Sequence, residues 1–342
     1  MRAIVLRKTG GAEELRLEDV PDPTPGPDEV LVRVRAAAVC GRDVIDRRGG
    51  MPMMKLPTIL GHEFAGEVTA LGARAAEESG FRVGDRVVNL HRPFCGACDP
   101  CRRGDLLFCE RAFQAFGVTV DGGYAEAVVA HARALVALPA AVGFEAASTV
   151  MCTAGVALRA LRSIGRLVLG ETVLVTGASG GVGAYAIQIA RSMGARVIAT
   201  TTSEAKAERL AELGAHEVIV SAKSDFQDEV KRRGGADVAL ELTGAITFGA
   251  ALRSLRRGGR MVIVGNIETR KLELNPGALI LFGLSLSGSF ACTARDLGDV
   301  LAMLSAGTLR PVIDRVLPLA EAAEAHRVLE ARGAFGRIVL VP

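Results

Sequence analysis

Residues 176–183 read TGASGGVG and stand between an apolar run, ETVLVTG, and a helix-forming run, GAYAIQIARSMG. Few folds accommodate that order. Gly180, Gly181 and Gly183 let the turn tighten, the backbone approach a pyrophosphate, and the helix pack closely on the strand. A helix opening there offers free N–H groups to phosphate oxygens. Ser179 and Val182 belong to the same turn. The usual GxGxxG pattern is altered, because Ala178 stands at its first glycine and Gly177 precedes it. The strand–turn–helix setting nevertheless predicts a dinucleotide site rather than a plain tight turn.

The same rhythm continues downstream. RVIATT, EVIV, DVALEL and RMVIVG read as buried strands, separated by the helical runs SEAKAERLAELG and FGAALRSLRRG. Such alternation predicts a doubly wound α/β fold, a parallel sheet with helices on both faces. RVIATT ends at Thr201, and no Asp or Glu follows until Glu204. An acid in that position would accept from the ribose 2′-OH of NAD. Thr201, Ser203 and Lys206 suit a 2′-phosphate instead, so NADPH is the expected cofactor. A helix N-cap for Ser203 and a solvated helical face for Lys206 are the competing readings. Gly265 and Asn266, where RMVIVG runs out, are further candidate cofactor contacts.

The first 150 residues differ in character. EVLVRVRAAAV alternates at period two, FAGEVTALG and GDRVVNL continue the pattern, and PDPTPGPDE is a turn-rich connection. At 342 residues the chain is too long for one ordinary domain, and its 49% hydrophobic content supplies two cores. After about residue 290, ARDLGDVLAMLSAG and LAEAAEAHRVLEAR read as amphipathic helices and GRIVLVP as a closing strand. An unclustered net charge of +3 and 4% aromatic residues argue against a nucleic-acid partner. MRAIVLRKTGG has charges on both sides of four apolar residues, a strand rather than a signal peptide. The uncharged stretch Leu274–Ala294 is broken by glycine and proline. It predicts a buried helix and strand, not a membrane span. A cytoplasmic protein follows, in whose reducing compartment the seven cysteines are thiols or metal ligands.

CGACDPCRRGDLLFC places Cys95, Cys98, Cys101 and Cys109 in one short loop. Four thiolates at that spacing match a closed tetrahedral zinc site with a structural role. An iron–sulfur cluster or a disulfide-bearing loop are the alternatives. Cys40, His62 and Cys152 are the cysteine–histidine–cysteine set of a three-ligand catalytic zinc with an open fourth position. Glu63 would be a fourth or displaceable ligand, and Asp43 would hold the His62 imidazole from behind. Taken singly, each cysteine reads as core packing; together with the zinc loop and the dinucleotide turn they read as a site. Cys292 has no such company and is expected in the core.

Cys40, GHE at 61–63, the four-cysteine loop, Cys152, the glycine turn and the closing GRIVL resemble the zinc-containing medium-chain dehydrogenase/reductase family over essentially the whole chain. The resemblance implies a GroES-like β-rich catalytic domain, residues 1–152 and 290–342, interrupted by a Rossmann domain, residues 153–289. It also implies a homodimer or homotetramer formed largely through the Rossmann domain, and a place for Arg337 near the cofactor phosphates. Alcohol dehydrogenases of this family carry Ser or Thr two residues after the first zinc cysteine, commonly with a histidine five after it. Those residues pass the alcohol proton to solvent. Here the positions are Arg42 and Ile45. Arginine stays protonated and cannot accept a proton, and isoleucine cannot transfer one.

CGRD, TGASGGVG and TTSEAK look more like acryloyl-CoA reductase-type members of the family. In these, hydride from NADPH adds to the β-carbon of an α,β-unsaturated thioester, and negative charge develops on the thioester oxygen. Zinc or the Arg42 guanidinium would meet that charge. A structural or cofactor-phosphate contact is the other reading of Arg42. The expected activity is reduction of an activated C=C by NADPH. A small-molecule substrate, such as a CoA thioester, is the expected partner. A zinc-dependent alcohol or aldehyde dehydrogenase with a different proton path is the alternative.

Overall fold

In the computed structural model, which describes residues 1–111, 114–267 and 270–342, the chain opens with strands β1 (Arg2–Leu6) and β2 (Leu15–Asp19). β3 (Glu29–Val39), β4 (Thr58–Ile59), β5 (Phe64–Leu71), β6 (Arg86–Asn89), β7 (Ala127–His131) and β8 (Leu135–Ala137) follow. In β3 the valines at 30, 32 and 34 are buried while Arg33 and Arg35 face out. Alternation ends at Ala36, and every residue from there to Val39 is buried. The strand thus carries the following cysteine, Cys40, toward the interior.

The next six strands build a separate sheet. β9 (Thr172–Val175), β10 (Arg196–Thr201), β11 (Glu217–Val220), β12 (Ala236–Glu241), β13 (Leu255–Ile263) and β14 (Ser285–Gly288) lie parallel in the order β11-β10-β9-β12-β13-β14. Strand order reverses between β9 and β12, and crevices at such reversals hold ligands at the strands' carboxyl ends. β15 (Ile313–Pro318) and β16 (Arg337–Val341) then return to the first sheet. Its order is β15-β16-β3-β5-β6-β8, with β7 also paired to β3. β16 pairs with Ala37–Val39, β7 with Glu29–Arg33. The β-rich unit is therefore discontinuous in sequence, Met1–Cys152 with Cys292–Pro342, and the doubly wound unit is Thr153–Ala291. Its core gathers both ends of the chain: Ile4, Val32, Phe64 and Tyr124 share one cluster with Ile338 and Leu340.

Three local expectations need correction. FGAALRSLRRG is helical only to Arg253, because β13 already begins at Leu255. Ser254 ends the helix and donates its hydroxyl to Ala250 O at 2.8 Å. Leu274–Ala294 does contain a helix, Pro276–Phe282, and the strand β14, yet the helix is not buried. Ile280 is 82% and Leu281 69% exposed, since β14 is the sheet's last strand and none of the described residues covers the helix's outer face. The stretch after Cys40, with no helical periodicity to announce it, forms the helix Gly41–Arg47. Among the described residues no helix is long and apolar enough to cross a membrane.

Candidate functional site

Cys40 is the N-cap of the helix Gly41–Arg47, and Asp43 closes the cap by accepting the Cys40 N–H at 3.0 Å. That bond fixes the Asp43 carboxylate, whose other oxygen lies 2.7 Å from His62 Nδ1. His62 itself is clamped through its backbone. Asn89, at the end of β6, donates to His62 O and accepts from Phe64 N–H, both at 2.7 Å. Cys152 lies in the π-helical turn Met151–Gly155, and its N–H donates to Glu63 Oε2 at 3.1 Å. Arg337, the first residue of β16, presses its buried guanidinium on Glu63 Oε1. One ligand atom from each of Cys40, His62, Glu63 and Cys152 lies within 4.8 Å of the others.

The charges in this cluster are coupled. Burial works against ionisation, yet the Asp43–His62 pair holds the carboxyl below its usual range and the imidazole above its own. Cys40 is driven toward thiolate, first by the hydrogen bond from the Cys152 thiol and then by the charges of Arg337 and His62. His62 Nε2 is buried without a hydrogen-bond partner among the described residues. Two sulfurs, an imidazole nitrogen with its lone pair uncommitted and an adjacent carboxylate are the donors a catalytic zinc takes. The residues fit the ion.

The loop at 95–109 is a second cluster in the same unit. Cys95 and Cys101 sulfurs are 4.0 Å apart and those of Cys98 and Cys109 3.9 Å, and all four lie within 4.8 Å. Zinc–sulfur bonds of about 2.3 Å at tetrahedral angles separate sulfurs by about 3.8 Å. Backbone N–H groups of Ala97 and Cys98 point at Cys95 Sγ, at 3.4 and 3.3 Å. All seven cysteines are free, so no disulfide closes the loop.

In the doubly wound unit the glycine turn leaves β9 and opens the helix Gly181–Ser192, with Gly180 as N-cap. A Cβ on Gly183 would lie 2.6 Å from Ala178 Cα, the close helix–strand packing that requires glycine there. Ser179 and Val182 complete this turn, and Thr201, Ser203 and Lys206 follow the end of β10. Thr201 Oγ1 accepts the Ser203 N–H at 3.2 Å. Ser203 is an N-cap by position, without a side-chain capping bond. Gly265 packs where a Cβ would meet Leu242 O at 2.0 Å, and Asn266 beside it is exposed. These segments all follow carboxyl ends of parallel strands.

Two arginines near the cluster have specific partners. The Arg42 guanidinium is tied down, 2.9 Å from Asp46 Oδ2 and 3.1 Å from Phe116 O, which is the structural contact. Its charge still favours the ionised Asp43, whereas Cys152 is pushed well up, first by its hydrogen bond to Cys40 and then by burial. Arg337, expected near cofactor phosphates, pairs with Glu63. Cys292 is buried and donates to Met151 O at 3.3 Å. The sequence reading missed Asn89, Tyr124, His326 and Glu241. Glu241 Oε1 accepts from Thr243 N, Gly244 N and the Thr247 hydroxyl at 2.6–3.0 Å, and so shapes the loop after β12. None of the four belongs to a spaced motif; their only signal is a polar residue in an apolar setting.

Comparison with known proteins agrees with this architecture. Residues 26–140 match the model of the alcohol dehydrogenase GroES-like domain, and residues 181–306 that of the zinc-binding dehydrogenases. An acryloyl-coenzyme A reductase of Sulfurisphaera tokodaii is 37% identical, with 100% of both chains covered. An alcohol dehydrogenase of Schizosaccharomyces pombe is 33% identical over 99% of this chain and 97% of its own. The crystal structure of AibC superposes with a TM-score of 0.94 at 46% identity, over 100% of this chain and 96% of that one.

Proposed function

We propose, from the premise that this chain belongs to the zinc-containing medium-chain dehydrogenase/reductase family and is an oxidoreductase, that it reduces the activated C=C bond of an α,β-unsaturated thioester with NADPH. The observation that carries this reading is Arg42. It stands where an alcohol's proton would leave, is held by Asp46 and Phe116 O, and as a donor-only guanidinium cannot accept that proton. Ile45 removes the second half of such a path.

Cys40, His62 and Cys152 would hold the catalytic zinc, with Glu63 able to exchange onto it, and Cys95, Cys98, Cys101 and Cys109 the structural one. Bound NADPH supplies hydride for the β-carbon, and bound zinc supplies a Lewis acid for the charge that develops on the thioester oxygen. Asp43 keeps a proton on His62 Nδ1, which leaves Nε2 as the nitrogen able to ligate a metal. Arg337 neutralises Glu63 when the carboxylate is not a ligand. The turn from Gly177 to Gly183 would take the pyrophosphate on backbone N–H groups, with Thr201, Ser203 and Lys206 around the 2′-phosphate. Solvent would deliver the proton to the α-carbon, since no side chain of the relay positions can.

The relative named alcohol dehydrogenase favours a second reading, reduction of aldehydes or ketones by a different proton path. A panel separates the two: NADPH oxidation with acryloyl- and crotonyl-CoA against a series of aldehydes and ketones. Activity confined to the carbonyl panel overturns the first reading, and a higher kcat/KM with NADH overturns the cofactor assignment.

A further inference from the structure

Asp43 is held from behind by residues distant in sequence. The fully buried Tyr124 hydroxyl lies 3.1 Å from Asp43 Oδ2 and 3.4 Å from His326 Nε2. His326, on the helix Ala322–Glu330, stands edge-on to the tyrosine ring with 5.9 Å between centroids. Its Nδ1 lies 3.3 Å from Arg47 Nη1. Arg47 also donates to Gly10 O at 3.1 Å and pairs with Glu330.

One hydrogen-bond polarity satisfies every member. Arginine only donates, so His326 Nδ1 accepts. Burial pushes the His326 ring down to about 4, so it is neutral near pH 7 and carries its single proton on Nε2. That proton goes to the Tyr124 oxygen, and the Tyr124 hydroxyl is left to donate to Asp43. The carboxylate then has acceptor capacity only, which it directs to the Cys40 N–H and to His62 Nδ1. His62 Nδ1 therefore carries a proton, and Nε2 is the ring nitrogen left to face Cys40 and Cys152.

We propose that Tyr124 and His326 are positioning residues for the catalytic metal, which fix the tautomer and tilt of His62 through Asp43. This rests on the reading of Cys40, His62 and Cys152 as metal ligands. A segment near the end of the chain thereby sets how firmly an N-terminal histidine ligates. The Cys40 N–H already holds Asp43 Oδ2 from one side, and the Tyr124 hydroxyl adds a second donor to the same oxygen from the other.

The test uses the full chain loaded with zinc, as wild type, Tyr124→Phe, His326→Leu and His326→Gln. Zinc content and the rate of zinc release to a chromogenic chelator are measured, then the visible absorption after cobalt is substituted at the faster-releasing site. Wild type is expected to hold about two ions per chain. Tyr124→Phe and His326→Leu should release one of them about tenfold faster, the lower end of what such outer partners contribute. Their cobalt bands should shift, and the four-cysteine ion should leave at the wild-type rate. His326→Gln keeps a donor for Tyr124 and should restore wild-type release. Unchanged release in Tyr124→Phe, or equal acceleration of both ions, overturns the proposal. A wild-type chain with a single ion overturns the metal-site reading, and the proposal falls with it. Tyr124→Phe removes one oxygen and keeps the ring, so it carries the test if His326→Leu fails to fold.

Discussion

Gly61 shows how one residue can bind a site to a core. Its φ of +93° suits glycine, and a Cβ there would lie 2.3 Å from Tyr124 Cδ1. Gly61→Ala should therefore cost about 2–3 kcal/mol, measurable as a lower urea midpoint. His326 makes a second residue-scale prediction. Burial depresses its pKa from 6.5 to about 4, so in that interval the unfolded chain binds a proton that the folded chain refuses. The contribution is full above pH 6.5 and is lost as pH falls through about 4, an amount of about 3 kcal/mol. His326→Gln should flatten the dependence of unfolding free energy on pH across that window. An unaltered slope would show that the ring titrates normally.

At the scale of elements, the four-cysteine loop and the helix Pro276–Phe282 are both incomplete without a partner. The loop's small cluster consists mainly of the cysteines themselves, with Phe94 and Leu106 against them. With so little apolar material the loop would depend for its order on the zinc proposed there. Cys109→Ser should remove about one zinc per chain and lower the melting temperature, while metal at Cys40 stays bound. The helix Pro276–Phe282 presents Ile280, Leu281 and Phe282 to solvent beside the edge strand β14. Exposed apolar residues next to an open sheet edge suit a second copy of the chain. Ile280→Asp with Leu281→Asp should move the sedimentation mass to that of the 35.7 kDa monomer. A wild type that already sediments as a monomer, or a double variant that keeps the mass of an oligomeric wild type, would overturn this.

For the molecule as a whole, the return of the chain to its first sheet is decisive. β16 pairs with Ala37–Val39, immediately before Cys40, and brings Arg337 onto Glu63. The helix Ala322–Glu330 brings His326 to Tyr124. A chain ending at Ala291 lacks all three contacts. It should lose the ion at Cys40 and the cooperative unfolding of the β-rich unit, followed by metal analysis and urea titration. The parallel sheet from β9 to β14 lies entirely before that point and should still bind a dinucleotide. Retention of both ions by the shortened chain would contradict this dependence.

Sequence by itself determined the features that local chemistry enforces. Period-two alternation marked β3, strand–helix alternation marked the parallel sheet, and the glycines at 180, 181 and 183 marked the turn between β9 and its helix. Cysteine spacing in one loop marked a four-sulfur cluster, because cysteines a few residues apart in a tight loop stay close together. The Asp43–His62 pair was also legible, as an acid close to a ligand cysteine in a chain that carries GHE. Only the tertiary structure decided the rest. Whether Arg42 faces a substrate or Asp46, and whether Arg337 meets a phosphate or Glu63, depends on which strands become neighbours. Tyr124 and His326 are 202 residues apart and meet only because the sheet takes back the end of the chain. Sequence periodicity describes which face of an element is apolar; it carries no record of which polar side chains that packing brings together.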